Sequence, residues 1–346
     1  MSGPRILIIK PSSLGDIVHA MPAVAALRRA LPAAEITWLV KRQWAPIVER
    51  AEGVDRIWPV DGGWLRWLRS GSALRGARFD VAVDLQGLFR SGLMAWLSGA
   101  PRRIGFAAGR EGSPWFYRER VTVPTTEMHA VDRYLLVAAA LGADVSKPVW
   151  HLRETDDDRE RVAATLREAG LAAGRWIAVA PSGRWPTKRW PLQRFAEVAD
   201  ALHHAGVARV ALIGAPDDLP LLKEMEACMR TTPAILAGAV DVGRLPALLR
   251  SAAVLLTNDS GPMHVAAAVG TPVVAVFGPT SAVRTGPYGD GHVVLSADVS
   301  CRPCFSRTCG NRVDPLACLT GISVDAVLEQ VRRQLASRVS HAVLHV

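Results

Sequence analysis

The chain has 346 residues, of which 49% are apolar and 21% are charged, and its formal net charge is +9. This length favours two domains, and this composition excludes a disordered chain and a collagen-like repeat. The most uniform apolar stretch, Val265 to Phe277, is interrupted by Gly270 and Pro272 and is shorter than the ~20 residues that cross a bilayer. We therefore expect no transmembrane helix.

The chain begins with a short apolar segment after Arg5. Its apolar core runs only from Ile6 to Ile9, whereas a secretory signal peptide needs about 7 to 15 apolar residues. We interpret this segment as the first β-strand of a cytoplasmic protein.

Short apolar or β-branched runs alternate with longer helical runs along the chain. In the first half, strands are predicted at Arg5–Lys10, Glu35–Val40, Arg56–Val60 and Phe79–Leu85, and helices at Ile17–Leu31, Trp44–Ala51, Trp64–Leu74 and Phe89–Leu97. In the second half, strands are predicted at Trp176–Ala180, Ala208–Ile213, Ala234–Leu236, Val254–Thr257 and Val273–Phe277, and helices at Leu192–Ala205, Leu219–Met229, Val242–Ser251 and Pro262–Val269. This order predicts an α/β protein with two doubly wound parallel sheets.

A linker is predicted at Val145–Thr155, because Pro148 disfavours helix at the residue before it. We therefore expect domains over residues 1–150 and 151–322 and a C-terminal helix over 323–346, with packing back on the N-terminal domain as one option. The linker is followed by Asp156-Asp157-Asp158, which contains an Asp-x-Asp pair that can hold a metal. Its place before a helical run favours interaction with the helix N-terminus instead.

The positive charge lies mostly in the first half. Residues 1–150 carry 20 Lys and Arg against 13 Asp and Glu, whereas residues 151–346 carry 21 against 19. The balances are therefore +7 and +2. Such a surplus suits nucleic acid, an anionic membrane or an acidic substrate, although a generally basic composition explains it equally well.

The first strand is followed by Lys10-Pro-Ser12-Ser13-Leu-Gly-Asp16. Ligands of open α/β sheets bind beyond the carboxyl ends of the strands, so this turn is expected to face a cleft between the domains. The motif is neither Gly-x-Gly-x-x-Gly nor a P-loop, which argues against a dinucleotide oxidoreductase and an ordinary kinase. The Asp16 carboxylate can accept a proton from a substrate hydroxyl, but helix capping by Asp16 or Ser13 explains the same spacing.

Two strand-end loops in the second half are suited to anions. The loop from Ser182 and Gly183 to Arg189 combines a hydroxyl and a glycine turn with three cations, which are Arg184, Lys188 and Arg189. This combination suits a phosphate or a plain basic surface loop. The segment Asn258–His264 places Ser260 and Gly261 at a helix N-terminus, where backbone N–H groups bind anions. His264 lies one turn further on. Another strand-end loop follows at Phe277–Ser281, and three such loops lead us to expect that this half holds a nucleotide.

Four of the five cysteines are close in sequence. Cys301, Cys304, Cys309 and Cys318 form a C-x2-C-x4-C-x8-C set. Structural zinc is one interpretation, although the spacing departs from common zinc knuckles; reduced thiols or a redox-labile pair are the others. A cytosolic location argues against stable disulfides.

Several ordered motifs together resemble the bacterial lipopolysaccharide ADP-heptose heptosyltransferases, glycosyltransferase family 9. They are Lys10–Asp16, Asp84-Leu-Gln86-Gly87-Leu, His129-Ala-Val-Asp-Arg133, Thr187–Pro191, Gly214-Ala-Pro216, Asn258–His264 and Gly278-Pro-Thr280. Asp84–Gly87 and His129–Arg133 are more similar to heptosyltransferase I, whereas Asn258–His264 and the cysteines are more similar to heptosyltransferase II. The resemblance implies the GT-B fold, in which two Rossmann-like domains face each other across a cleft.

The resemblance also implies an activity, which is inverting transfer of L-glycero-D-manno-heptose from ADP-heptose to Kdo–lipid A or to the heptosylated core. Asp16 would then be the general base, and Lys188 would neutralise the leaving diphosphate. The donor site would comprise Ser182, Gly183, Lys188, Asp218, Asp259, Ser260, Gly261 and His264. The acceptor site would comprise Ser12, Ser13, Arg66 and Arg69. No cofactor and no catalytic metal are required.

The acceptor implied by this resemblance is an anionic glycolipid at the inner membrane. We therefore expect a cytoplasmic monomer that is peripheral to the inner face of that membrane and does not bind nucleic acid. Within the basic half, Trp64-Leu-Arg66-Trp67-Leu-Arg69 mixes cations with aromatics, so its arginines are candidates for sugar acids or phosphates and its tryptophans for lipid. The alternative is an ordinary amphipathic helix with Trp64, Leu65 and Leu68 in the core.

Two other classes of function stay open at this point. A nucleotide-sugar epimerase can have the same fold, and it would form free heptose without an acceptor. The second class is a basic nucleic-acid-binding protein with a zinc module. Against it, the excess of positive charge lies in the half of the chain that lacks the cysteines.

Overall fold

The computed structural model describes residues 3–206 and 208–343, and side chains up to residue 337. The chain forms two units, which divide between Arg153 and Glu154. Residues 151–153 are tied to the first unit by the Ala51–Leu152 bridge and by hydrogen bonds from Glu52 N to His151 O and from Arg153 N to Arg50 O.

The first unit is a parallel sheet covered by helices. Its strands are β1 (Arg5–Ile9), β2 (Glu35–Lys41), β3 (Arg56–Val60), β4 (Val81–Asp84), β5 (Arg102–Phe106) and β6 (Glu119–Val121). Its helices are α1 (Leu14–Ala30), α2 (Ala45–Glu49), α3 (Trp64–Gly76), α4 (Phe89–Leu97) and α5 (Ala130–Ala140), with 3-10 turns at Arg42–Trp44 and Ser113–Phe116. The strand order is β3-β2-β1-β4-β5-β6.

The second unit repeats this architecture. Its strands are β7 (Trp176–Ala180), β8 (Arg209–Gly214), β9 (Ala234–Ala237), β10 (Val254–Asn258), β11 (Val273–Val276) and β12 (Val293–Leu295), in the order β12-β11-β10-β7-β8-β9. Its helices are α6 (Asp156–Glu168), α7 (Leu192–His204), α8 (Leu219–Ala227), α9 (Leu245–Ser251), α10 (Gly261–Ala268), α11 (Ala282–Thr285), α12 (Ala317–Thr320) and α13 (Val324–Val343). Further 3-10 turns lie at Pro186–Lys188 and Pro216–Asp218.

The cores form where apolar strand residues meet one face of each helix. In the first unit, Leu7 and Ile9 of β1 pack with Trp67 and Leu74 of α3 and Met94 of α4. All five residues of β7 are buried, as expected of a strand covered on both faces. The prediction of two doubly wound parallel sheets is confirmed.

Several elements differ from the prediction. The sequence did not indicate β5, β6, α5 or β12, which complete the sheets and their helical layer. The Asp triplet occupies the first turn of α6, as expected. Its Asp158 forms a capping box, because Thr155 Oγ1 accepts from Asp158 N and Asp158 Oδ2 accepts from Thr155 N. None of the helices in the described residues combines the length and apolar character that crossing a membrane requires.

The C-terminal helix α13 packs within the second unit. Its Val327 and Val331 are fully buried in the same core as Trp190 and Phe195. Packing of this helix on the first unit stays a prediction.

Candidate active site

Each sheet has one point where its strand order reverses. In the first unit β1 lies beside β4, and in the second unit β7 lies beside β10. Ligands of such sheets bind in the crevice that forms there, beyond the carboxyl ends of the strands. The four loops at these two points are 10–16, 85–88, 181–188 and 259–261, which the sequence singled out as motifs.

Asp16 lies in the first turn of α1, beyond the carboxyl end of β1. Its Oδ2 accepts hydrogen bonds from Ser13 N at 3.0 Å and from Ser13 Oγ at 2.8 Å. The capping role considered for Ser13 and Asp16 is therefore present. The Asp16 side chain is still 42% exposed, so a substrate can reach it. Capping and base catalysis are thus compatible, since the cap fixes the orientation of the carboxylate.

A buried lysine supports the other carboxylate oxygen. Lys10 is only 2% exposed, and its Nζ lies 2.7 Å from Tyr134 Oη and 3.7 Å from Asp16 Oδ1. Lys10 also donates to Leu85 O, and Tyr134 donates to Asp16 Oδ1 at 3.4 Å. Burial lowers the pKa of Lys10, but its interactions with Tyr134 and Asp16 outweigh burial and leave that pKa raised. The lysine is therefore a fixed cation beside Asp16.

Sequence reasoning assigned no role to Lys10 or Tyr134. Lys10 is part of the first motif, and Tyr134 directly follows the His129–Arg133 motif. Their place in or beside these motifs was the sequence feature that could have identified them. In the structure, His129 Nδ1 accepts from Val131 N and caps α5, which packs against α1. The function of this motif in the fold is to place Tyr134 against Lys10.

Asp84, at the carboxyl end of β4, is fully buried. Its Oδ1 accepts from Gln86 N and Gly87 N, and its Oδ2 accepts from Tyr117 Oη at 2.6 Å. Burial raises the pKa of Asp84, and these hydrogen bonds oppose that rise. Tyr117 packs over Gly105, where a Cβ would lie 2.5 Å from its ring. Asp84 therefore holds the 85–88 turn in shape rather than acting on a substrate.

The expected acceptor residues lie on two elements of the first unit. Ser12 and Ser13 are partly exposed beside Asp16, and Arg66 and Arg69 are exposed on α3. The structure corrects the predicted faces of α3, because Trp67 is buried whereas Trp64 and Leu65 are exposed. Trp67 is therefore unavailable to lipid, and Trp64 and Leu65 are not core residues.

In the second unit, the loops after β7 and β10 meet through an ion pair. Lys188 Nζ lies 2.6 Å from Asp259 Oδ2, and this oxygen also accepts from Thr280 Oγ1 at 2.7 Å. Asp259 is 5% exposed and Lys188 is 17% exposed. The Lys188 ammonium also lies over the Trp185 ring. The cation predicted to meet a diphosphate is thus held in place and still reachable.

Asn258, which belongs to the Asn258–His264 motif but had no predicted role, joins the same loops. Its Oδ1 accepts from Trp190 N at 2.9 Å, and its Nδ2 donates to Pro181 O at 2.7 Å. Both bonds are buried, so this side chain fixes the spacing between the two loops.

The other predicted donor residues lie in the loops that Asn258 connects and in the helix that follows. Gly183 O accepts from Arg189 Nε, and Ser182 is partly exposed next to it. The Ser260 hydroxyl pairs with Thr257 Oγ1 and makes no capping bond to α10, which leaves the helix N-terminus available to an anion. His264 is buried in the first turn of this helix.

Asp218 lies beyond the carboxyl end of β8, the strand next to β7. Its Oδ2 accepts from Ala215 N at 2.9 Å and so caps the 216–218 turn. The structure therefore shows a capping role for Asp218. The ribose contact stays a prediction.

The cysteine segment lies against the donor loops. Arg302 donates to Gly278 O and Thr280 O, Phe305 N donates to Pro279 O, and Ser306 O accepts from Thr187 Oγ1. Within the described ranges, no group of three or more His, Cys, Asp or Glu side chains is arranged to hold a metal ion, so the zinc interpretation gains no support. The segment acts as a brace between the 186–188 and 278–281 loops.

Comparison with known proteins identifies the family. Residues 67–313 match the family model described as glycosyltransferase family 9 (heptosyltransferase). The chain belongs to this family. The lipopolysaccharide core heptosyltransferase OpsX of Haemophilus influenzae is 27% identical over 84% of each chain, and the lipopolysaccharide heptosyltransferase 1 of Pseudomonas aeruginosa is 28% identical over 88% of this chain and 87% of its own.

A solved structure extends this similarity to the fold. The structure described as E. coli ADP-heptose lps heptosyltransferase II is 26% identical, has a TM-score of 0.80, and covers 96% of this chain and 99% of its own. The two Rossmann-like units are therefore those of a GT-B glycosyltransferase, and the protein is an enzyme of the heptosyltransferase family.

Proposed function

We propose that the protein is an inverting glycosyltransferase that moves L-glycero-D-manno-heptose from ADP-heptose to the inner core of lipopolysaccharide. In each sheet, the point where the strand order reverses has a charged group of the sign that the reaction needs. This observation carries the proposal. The first unit presents the Asp16 carboxylate, and the second presents the Lys188 ammonium.

The second unit is proposed to bind the donor. The Lys188 ammonium and the N-terminus of α10 together suit a diphosphate, because one supplies a full charge and the other supplies backbone N–H groups. Ser182 and Gly183 belong to the same loop as Lys188, and Asp259 holds Lys188 in place. Asp218 is proposed to contact the ribose. The similar heptosyltransferase II of E. coli is an enzyme named for ADP-heptose, which supports this donor.

The first unit is proposed to bind the acceptor at Ser12, Ser13, Arg66 and Arg69. Asp16 takes the proton of the acceptor hydroxyl, whose oxygen attacks the anomeric carbon of the heptose. The bond from that carbon to the diphosphate oxygen breaks, and Lys188 stabilises the negative charge that stays on ADP. This single displacement inverts the anomeric carbon, and it needs neither a cofactor nor a metal.

The acceptor is proposed to be Kdo–lipid A or its heptosylated form, at the inner face of the inner membrane. The +7 balance of residues 1–150 suits these anionic glycolipids. Two relatives, named lipopolysaccharide core heptosyltransferase and lipopolysaccharide heptosyltransferase 1, are 27% and 28% identical to this chain. Sequence identity therefore does not distinguish between the two proposed acceptors. We expect one chain to be sufficient, because all the proposed catalytic groups belong to it.

The test is mass spectrometry of products from ADP-heptose with Kdo–lipid A and with the heptosylated acceptor in parallel. One heptose is expected on one of these acceptors, with the anomeric configuration opposite to that of the donor by NMR. Free heptose formed without an acceptor would instead indicate the epimerase alternative. Absence of product with both acceptors would contradict the proposed transfer.

A further inference from the structure

The first unit exposes an unusual set of large aromatic side chains. Four of the five large aromatics that are exposed in the described residues lie between positions 64 and 115. Together with Leu65 they form what we call the aromatic face, which consists of Trp64, Leu65, Phe89, Trp96 and Trp115. Leu65 is 71% exposed and Trp115 is 82% exposed. Single exposed apolar residues are ordinary, but a group of them indicates an interaction surface.

Ring contacts connect the three elements that carry this face. Trp64 of α3 stacks on Phe89 of α4 with centroids 6.4 Å apart, and Phe89 meets Phe116 edge to face at 5.3 Å. Trp115 precedes Phe116 in the Ser113–Phe116 turn. Trp96 lies two helical turns after Phe89 and therefore on the same side of α4, about 10 Å further along.

The charge around the aromatic face is strongly positive. Residues 61–120 contain ten arginines, no lysine and five acidic residues. Of the acidic groups, Asp61 pairs with Arg42, and Glu119 pairs with Arg102 of the same segment. Glu111 accepts a hydrogen bond from Phe89 N, so one carboxylate lies at the aromatic face itself. By contrast, the described residues provide no ion pair for Arg66, Arg90 or Arg110; the Arg90 guanidinium lies over Trp64 and Trp67 instead.

This combination selects the kind of partner. Tryptophan and arginine together favour the headgroup region of a membrane, where the ring is partly buried and the cation meets phosphate. The net positive charge favours an anionic partner. We propose that the aromatic face docks on the surface of an anionic phospholipid bilayer.

The position of the aromatic face indicates what docking would do for the reaction. This part of the inference rests on the proposed function. α3 follows β3, α4 follows β4, and the Ser113–Phe116 turn follows β5, so all three begin at the carboxyl edge of the first sheet. Asp16 lies at the same edge. A bilayer on the aromatic face therefore brings the headgroups of membrane-embedded glycolipids towards Asp16.

The experiment is flotation of the full-length protein with vesicles that contain no acceptor glycolipid. Wild type is expected to float with phosphatidylglycerol–phosphatidylethanolamine vesicles and to bind pure phosphatidylcholine vesicles at least ~10-fold less. Leu65→Ser with Trp115→Ser should lower binding to the anionic vesicles at least ~10-fold, because binding scales with the apolar area inserted. Arg90→Gln with Arg110→Gln should lower it and reduce its dependence on salt.

The matched control is Val313→Ser, which changes an exposed apolar residue of the second unit that is 97% exposed and should leave binding unchanged. Thermal unfolding checks that each variant is folded. With a water-soluble acceptor that lacks acyl chains, Leu65→Ser with Trp115→Ser should keep wild-type kcat/KM.

The proposal is overturned if wild type fails to float, if phosphatidylcholine binds equally well, or if the folded variants bind like wild type. Because the vesicles contain no substrate, these outcomes concern docking alone. Failure of the transfer reaction with soluble acceptor would concern the proposed function alone.

Discussion

Lys188 Nζ and Asp259 Oδ2 lie 2.6 Å apart, although the two residues belong to loops that follow different strands of the second sheet. Asp259 is almost fully buried, and its charge is compensated by Lys188 and by the Thr280 hydroxyl. The ion pair therefore contributes to the stability of the second unit and also holds the cation that is proposed to stabilise the leaving diphosphate.

Replacing Lys188 is expected to separate these two contributions. Lys188→Ala should lower kcat/KM for ADP-heptose by about 10²–10³-fold, because the leaving diphosphate loses its cation. It should also destabilise the protein, because the buried Asp259 carboxylate is left unpaired. The double variant Lys188→Met with Asp259→Asn should recover stability but not turnover. Equal losses in the affinity for donor and acceptor would indicate a folding defect instead.

Asp16→Asn should lower kcat at least ~10²-fold while leaving the Kd for ADP unchanged, because the amide cannot take the acceptor proton. Steady-state kinetics and calorimetric ADP titration measure these two effects. Asp80→Asn is the control, since Asp80 lies at the other edge of the same sheet, where it accepts from Arg5 N. Turnover close to that of wild type in Asp16→Asn would mean that the base lies elsewhere.

Lys10 and Tyr134 are expected to position Asp16 and to favour its charged form. Tyr134→Phe should lower kcat about 10-fold, and Lys10→Met should move the acidic limb of the kcat/KM profile to higher pH, because the carboxylate loses its neighbouring cation. Tyr117→Phe is the control, since Tyr117 donates to Asp84 rather than to Asp16. Its profile should keep the wild-type shape.

The raised pKa of Lys10 also determines how its effect on stability varies with pH. A lysine whose pKa is higher in the folded state stabilises the fold below its usual value of 10.5, and this contribution is lost as the pH rises through the folded value. The difference in unfolding free energy between wild type and Lys10→Met should therefore be constant through neutral pH and shrink only above pH 10.5. A difference that shrinks at neutral pH would contradict this.

Asn258→Ala should destabilise the protein by about 2–4 kcal/mol, because Trp190 N and Pro181 O both lose a buried hydrogen-bond partner. It should also weaken ADP binding, since the two donor loops are no longer held together. Urea unfolding and calorimetry measure these effects. Thr271→Val removes one buried bond, to Leu249 O, away from these loops, so it should cost about 1 kcal/mol with unchanged ADP affinity.

The cysteines are expected to differ in reactivity and to be dispensable for catalysis. Burial and the neighbouring thiols raise the pKa of Cys318, so at pH 8 iodoacetamide should modify the exposed Cys301 and Cys304 well before Cys318. Peptide mass spectrometry follows the order. Cys301→Ser with Cys304→Ser should keep turnover, because no step uses a thiol.

Arg302→Ala provides the contrast within the same segment. It removes the hydrogen bonds to Gly278 O and Thr280 O and should therefore lower turnover by loosening the loop that supports Asp259. Stoichiometric zinc in the purified protein, with loss of turnover on chelation, would show that the cysteines have a metal-dependent role.

The sequence alone determined the architecture and the strand ends beyond which the candidate site residues lie. Strands such as β1 and β7 were predictable because continuous apolar runs between helical runs indicate buried parallel strands. Asp16, Lys188 and Asp259 were located correctly at strand ends, because the chain order of a doubly wound fold fixes where those ends lie. The short strands β5 and β6 were missed, since arginine, glycine and glutamate make up much of them and pairing with neighbours decides their conformation.

Only the tertiary structure decided which distant residues meet. Tyr134 and Lys10 are 124 residues apart, and no local pattern relates them. Likewise, the period of α3 shows that it has two faces, but packing on β1 and α4 decides that Trp67 is buried and that Trp64 and Leu65 are exposed. Local sequence fixes backbone preferences and strand ends, whereas burial and pairing depend on segments that approach each other only when the sheet forms.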